Sequence, residues 1–300
     1  MGARSRGDKY VLSLAGVDVT SKTYTELKDM FNTAMEGGMH GLCFSPYEEG
    51  QEPGDTLSEE QVRRRLEIME PYTHWVRSFS TTEGNEHIPR IAHELGMKCL
   101  TGAWLSDDLE KNEIEVNALI ELAQEGVADI LAVGNEVLYR KELTEQQIIG
   151  YINRVKEACP NHEVGYVDAY YEFENCPDIT AACDVILTNC YPFWEGCHLN
   201  YSLPYMKDMY HRAKQSGGGN KRIIITETGW PSQGELFHGA EPSAINAMKY
   251  FIDTQIWSSA EDIEIFYFSS FDEAWKVGAE GDVGAYWGLW DMYENLKYQS

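Results

Sequence analysis

The chain has 300 residues, 43% of them hydrophobic and 24% charged, with a formal net charge of −25 at pH 7. That is enough to bury the core of one large domain, and the composition is that of an ordinary globular protein. The acidic excess argues against nucleic acid or an anionic membrane surface as a partner and suits a neutral ligand, which it does not repel.

In chain order, Met1 to Asp8 is partly basic, but the apolar stretch Tyr10 to Val17 is short and runs into Asp18, a poor signal peptide. An intracellular protein is expected, or an extracellular one if a leader has been removed. Tyr10 to Thr20 alternates apolar and polar residues, and a helix is predicted over Tyr24 to Glu36, before Gly37-Gly38. A rhythm then sets in. His40 to Phe44 reads as a first strand, Tyr47 to Asp55 as an acidic loop, and Ser58-Glu-Glu-Gln61 as a capping box for a helix facing inward with Val62, Leu66 and Met69. Strands follow over His74 to Phe79, Met97 to Leu105, Ala128 to Val133, Glu163 to Asp168, Asp184 to Thr188, Arg222 to Thr226 and Ile263 to Phe268. Between them helices are predicted over Asn85 to Leu95, Glu110 to Gln124, from the capping box Thr144-Glu-Gln-Gln147, over Pro177 to Ala182, Tyr205 to Gln215 and Pro242 to Trp257. A last helix is predicted within Trp287 to Tyr298.

Eight strands alternating with helices over about 260 residues predict a (β/α)8 barrel across 38–300, with 1–37 as an N-terminal extension packing on it. A doubly wound open sheet fits less well. It wants a glycine-rich phosphate loop after its first strand, where this chain has Phe44-Ser-Pro-Tyr-Glu-Glu49, and Gly217-Gly-Gly-Asn-Lys-Arg222 precedes a strand instead. No apolar run of about 18 residues predicts a membrane-spanning helix. Of seven cysteines, Cys43 and Cys99 sit in strand-like runs and read as small buried thiols. Cys176, Cys183, Cys190 and Cys197 recur every seven residues, but Pro177 and Pro192 interrupt any heptad helix and the spacing is not that of a zinc site. No metal or cofactor is expected, and the chain is read as a monomer.

In such a barrel the working residues stand at the carboxyl ends of the strands. Reading those ends gives Tyr47, Arg77, Trp104, Asn135, Glu136, Asn189, Tyr191, Glu227, Trp230, Phe271, Glu273, Trp275 and Lys276. Glu136 and Glu227 end buried apolar runs, where a carboxylate is costly unless it has work to do. Two central carboxylates with amides and flat rings suit cleavage of a glycosidic bond, which needs one carboxyl to protonate the leaving oxygen and another to attack or activate water. The aromatic stretches Tyr191-Pro-Phe-Trp194, Gly229-Trp230 and Phe271 to Trp275 are expected to wall an open cleft, and Trp287 and Trp290 to serve packing.

Val133-Gly-Asn-Glu136 and Ile225-Thr-Glu-Thr-Gly-Trp-Pro-Ser232 resemble glycoside hydrolase family 17, the β-1,3-glucanases and β-1,3-glucanosyltransferases. Phe44 to Gln51, Val76-Arg-Ser-Phe79, Asn189-Cys-Tyr-Pro192 and Phe271 to Lys276 match in the same order, so the likeness spans nearly the whole chain. The resemblance implies a barrel enzyme that retains anomeric configuration, with Asn135-Glu136 as the acid/base motif and Glu227 as nucleophile. It implies that Tyr191 and Arg77 hold the nucleophile ionised, and that Glu273 and Lys276 form a polar pair beside it. The extra sub-domain of plant members is missing, and Gly278 to Trp290 is closer to microbial ones, which implies a shorter cleft. The ligand is then β-1,3-glucan or its oligosaccharides.

Three functions compete. The first is a retaining β-1,3-glucan hydrolase or the corresponding transglycosylase. The second is a non-catalytic glucan-binding barrel, which would have lost a central carboxylate. The third is a barrel aldolase or dehydratase, for which Lys276 is the one Schiff-base candidate.

Overall fold

The computed structural model describes residues 18–299. Eight parallel strands pair in sequence order: β1 (Met39–Cys43), β2 (Thr73–Arg77), β3 (Lys98–Ala103), β4 (Ile130–Asn135), β5 (Glu163–Ala169), β6 (Val185–Asn189), β7 (Arg222–Thr228) and β8 (Ile265–Tyr267). β8 returns to β1 and closes the (β/α)8 barrel. Sequential order follows from the repeated strand–helix unit, because each right-handed crossover lays the next strand beside the last. Helices cover the outside and side chains fill the inside, so runs such as Val185-Ile-Leu187 and Ile223-Ile-Ile225 are buried on both faces. Cys43 and Cys99 are buried in β1 and β3 as expected.

Local signals set most helix starts. Thr144 accepts from the Gln147 N–H and the Gln147 side chain returns to the Thr144 N–H, a complete capping box. At Ser58 only half the expected box forms. Ser58 accepts from the Gln61 N–H at 3.1 Å, but the buried Gln61 side chain donates to the Pro46 carbonyl at 2.7 Å and to Gln51 at 2.6 Å. The loop after β1 needs that donor for a buried carbonyl, and the tertiary demand overrides the local one.

Elsewhere the chain departs from the pattern. The helix before β7 begins at Leu199, not Tyr205, because Pro204 sits in its second turn and forgoes only one hydrogen bond. A short helix, Tyr170–Asn175, follows β5 with no side-chain cap to announce it. Trp287 to Tyr298 is not a helix. The Asp291 carboxylate accepts from the N–H groups of Tyr293 and Asn295, and Trp290 bridges to Phe271 and Leu296, so side-chain hydrogen bonding replaces the helical ladder.

Ahead of the barrel, the helix Tyr24–Glu36 buries Leu27, Phe31 and Met35 along one face. The Phe31 ring lies 4.8 Å from Phe251 of the helix Ala244–Glu261 and 5.1 Å from Tyr298. It takes the ring position that β8 leaves open, since β8 is followed only by 3-10 turns and the four-residue helix Val277–Glu280. The first 17 residues, which include Met1 to Asp8 and Tyr10 to Val17, lie outside the described ones. Among the described residues no helix is long and apolar enough to cross a membrane. Phe31→Ala is expected to lower stability by about 3–5 kcal/mol in chemical denaturation, by emptying this contact, and to leave turnover by the folded fraction unchanged.

Candidate active site

The ladder slips register at three strand ends: between Ala132 and Asn135 of β4, at Thr188/Asn189 of β6, and between Ile225 and Thr228 of β7. Each slip lies beside a polar residue singled out in the sequence, as bulges do where a side chain must be re-aimed. At β4 the chain turns left-handed at Gly134 (φ 86°) and again at Glu136 (φ 52°). A Cβ at Gly134 would come within 2.9 Å of the Val137 side chain, which only glycine avoids.

These turns bring Glu136 and Glu227 to one amide. Asn189 Nδ2 donates to Glu136 Oε1 at 2.9 Å and to Glu227 Oε1 at 3.2 Å. Two bonds from a single nitrogen hold those oxygens no more than about 6.1 Å apart, the sum of the two lengths. The Asn189 oxygen accepts from the Thr226 hydroxyl at 2.8 Å, which turns the nitrogen toward the carboxylates. Glu227 also accepts from Arg77 Nη1 at 2.5 Å and, on its other oxygen, from the Tyr191 hydroxyl at 2.8 Å. Arg77 is buried. It donates from Nη2 to Asn135 Oδ1 at 2.7 Å, and its guanidinium lies over the Phe79 ring, 4.2 Å from the centroid. Arg77, Asn135, Glu136, Asn189, Tyr191 and Glu227 thus form one connected network.

The environment separates the two carboxyls. Burial, and then the negative charge of Glu227, push the Glu136 carboxyl up to about 7. Burial followed by the Glu227 charge also raises the Tyr191 phenol well above its ordinary value, so it stays a donor. Beside this network Lys276 Nζ pairs with Glu273 Oε2 at 2.6 Å and sits over the Phe268 ring at 4.2 Å. Burial opposes the charge on Lys276, but Glu273 and Glu280 more than offset it and its pKa is raised. Tyr47 meets Trp275 edge to face at 5.9 Å, and burial pushes its phenol up to about 12.

Three aromatic residues of the predicted walls are not walls. Trp230 is 1% exposed, packed between Phe193 and Tyr250, and its Nε1 donates to the Glu241 carbonyl at 2.9 Å. Gly229 before it explains why: a Cβ there would meet the Phe268 carbonyl at 2.0 Å, so the backbone dives against β8 and carries Trp230 into the core. Phe271 is equally buried, lying under the Arg65 guanidinium and against Trp290. Trp290 serves packing as expected. Trp287 is buried too, but its ring meets Tyr191 at 5.6 Å and its Nε1 donates to Glu280 at 2.9 Å. Phe193 is buried, so of Tyr191 to Trp194 only Tyr191 and Trp194 keep part of their rings open. Sequence reasoning missed Glu280. Its one signal is a carboxylate one helical turn after Lys276, too common a spacing to select.

Residues 41–288 match the model of the BtgE/BtgC glycoside hydrolase domain. The chain belongs to this glycoside hydrolase family. Its likeness to glycoside hydrolase family 17 is borne out by the solved β-1,3-glucanosyltransferase of that family from Rhizomucor miehei, which is 27% identical with a TM-score of 0.78 over 88% of this chain and 98% of that one. Two curated relatives of the chain are named glucan 1,3-beta-glucosidase. The Saccharomyces cerevisiae protein is 27% identical over 82% of this chain and 86% of its own length, and the Schizosaccharomyces pombe protein 29% identical over 78% of each.

Trp230→Ala is expected to destabilise the domain by about 3–5 kcal/mol with unchanged kinetics in the folded fraction; a large loss of oligosaccharide turnover with full stability would return Trp230 to the cleft. Glu136 supplies a second test. Because its pKa is raised on folding, the folded state loses stability relative to the unfolded chain as pH climbs from about 4.5 to about 7. Glu136→Gln lacks this penalty, so its Tm relative to wild type is expected to rise by about 2–6 °C between pH 4.5 and pH 8.

Proposed function

We propose that this domain cleaves β-1,3-glucan with retention of configuration, with Glu227 as nucleophile and Glu136 as general acid and then base. The observation that carries this reading is the shared Asn189 amide. A separation of at most about 6.1 Å leaves no room for the water that an inverting pair encloses at about 6.5–9.5 Å, and it suits the about 5–5.5 Å of a retaining pair. The substrate class rests on the relatives, the yeast proteins named as glucan 1,3-beta-glucosidases and a Rhizomucor miehei glucanosyltransferase mutant solved with laminaritriose.

In the first step Glu136, protonated because of its raised pKa, gives its proton to the departing glycosidic oxygen. Glu227, held by Arg77, Asn189 and Tyr191, attacks the anomeric carbon and forms the glycosyl-enzyme. Glu136, now ionised, takes a proton from the incoming hydroxyl, which displaces Glu227. Glu273 Oε1 and Trp275 Nε1 are buried with no hydrogen-bond partner beside this centre, and both suit sugar hydroxyls. The binding-module reading has no support in a site that retains both carboxyls. The aldolase reading fails at Lys276, whose ion pair raises its pKa where a Schiff-base amine needs it lowered.

The name of the Rhizomucor miehei neighbour favours a second outcome of the same chemistry, transfer to a sugar hydroxyl. Incubation with laminari-oligosaccharides, followed by mass, separates the two: products longer than the starting sugar mean transfer, shorter ones alone hydrolysis. Glu227→Ala is expected to lose turnover on every substrate, with azide giving only inverted product. Glu136→Ala is expected to keep the first step on an activated aryl glycoside and lose about 10²–10⁴-fold on the oligosaccharide. Equal losses in both variants on the aryl glycoside would count against the assignment. In wild type, kcat/KM on the oligosaccharide should fall as pH rises through about 7, where Glu136 loses its proton.

A further inference from the structure

Behind Glu136 lies a polar pair that the reaction as described leaves unused. Tyr166 and Asp168, both on β5 and both fully buried, are hydrogen-bonded to each other, the phenol donating to Asp168 Oδ2. Two residues apart on one strand, they face the same side, toward the turn that follows β4. The phenol oxygen accepts from the Leu138 N–H at 2.9 Å, and the Asp168 carboxylate accepts from the Ala169 N–H at 2.8 Å and from the backbone of Tyr139. This is where the β4–β5 ladder has slipped, so the N–H groups after Glu136 have no strand partner; the Glu136 N–H itself still reaches the Val167 carbonyl at 2.8 Å. Gly134 packs against the Tyr166 ring as well, its Cβ position 3.4 Å from Cε2.

We infer that Tyr166 and Asp168 are positioning residues for the acid/base, bridging from β5 to the turn that carries Glu136 and holding it in its left-handed conformation over the mouth. The inference rests on the reading of Glu136 as acid/base and adds to it the device that aims the group. A phenylalanine in place of Tyr166 would fill the same space but take away the partner of the half-buried Leu138 N–H. The pair has an electrostatic effect too. The groups facing Glu136 are Glu227 from β7, Asp168 from β5, Arg77 from β2, Asn189 from β6 and Tyr191 just after it. Arg140, in the same turn, donates its backbone N–H to the Glu136 carbonyl at 2.9 Å, and its guanidinium turns to the carbonyls of Asn135 and Leu105. Asp168 adds to the upward push on the Glu136 carboxyl, behind burial and Glu227.

The test uses Tyr166→Phe and Asp168→Asn in the full chain, with Glu136→Ala in parallel and folding checked by near-UV circular dichroism. Asp168→Asn keeps the shape and removes a charge. The basic limb of its pH profile on laminari-oligosaccharide is expected to move down by about half a unit. Tyr166→Phe is expected to lose about tenfold in kcat on the oligosaccharide, with KM little changed and the first step on an activated aryl glycoside nearly untouched, because that substrate needs little protonation. An unmoved basic limb in Asp168→Asn, or losses in Tyr166→Phe that are equal on both substrates, would make the pair plain structure and overturn the inference. Glu136→Ala separates this from the deeper failure: if it keeps the acid/base pattern, only the positioning role falls, and if it loses that pattern, the reading of Glu136 falls and the positioning role with it.

Discussion

The site depends on one buried ion pair. Arg77 at the end of β2 and Glu227 on β7 are both almost wholly removed from water and meet at 2.5 Å across β1 and β8. Burying two charges costs several kcal/mol per ion unless every remaining donor and acceptor is also met. That requirement explains the neighbours. Asn135 takes the second arm of the guanidinium, Tyr191 the second oxygen of the carboxylate, and Thr226 offers its carbonyl to Arg77 at 3.1 Å. Asn189, oriented by the Thr226 hydroxyl, adds a third donor to Glu227 and ties in Glu136, and of these groups only Arg77 Nε is left buried without a partner. Removing either charge would strand the other, so fold and chemistry share the same residues at the mouth.

Regular barrel geometry alone does not deliver this network. Strand ends project side chains alternately inward and outward, and the three register slips break that alternation where Asn135, Glu136, Asn189 and Glu227 must all converge. Below the slips the β4–β5 pair is regular from Ile130 to Ala132 and the β6–β7 pair from Val185 to Thr188.

The barrel was legible because its signals are local and repeated: apolar strand runs, capping residues and helix periodicity, eight times in order. The convergence of Glu136 with Glu227 followed from the rule that strand ends carry the chemistry. What stayed hidden is set by tertiary contact. Trp230 follows a strand end as Tyr191 does, yet the close approach of Gly229 to β8 sends it inward. Trp287 and Trp290 have helical spacing, but Asp291 bonds its own backbone and a run of turns forms instead. Gln61 has the right residue at the right offset for a capping box and serves a distant carbonyl. Tyr166 and Asp168 sit inside an apolar strand pattern, and nothing in that pattern says that the β4 turn needs their oxygens.

The three donors on Glu227 have opposite effects on the two halves of the proposed reaction. Each withdraws electron density from the carboxylate, which makes it a poorer attacker than a bare one would be. The same withdrawal makes it a better leaving group when water or sugar arrives at the anomeric carbon. The proposed nucleophile, buried among Arg77, Asn189 and Tyr191, is therefore set for prompt release, and the covalent sugar of the proposed reaction is tuned to be passed on instead of stored.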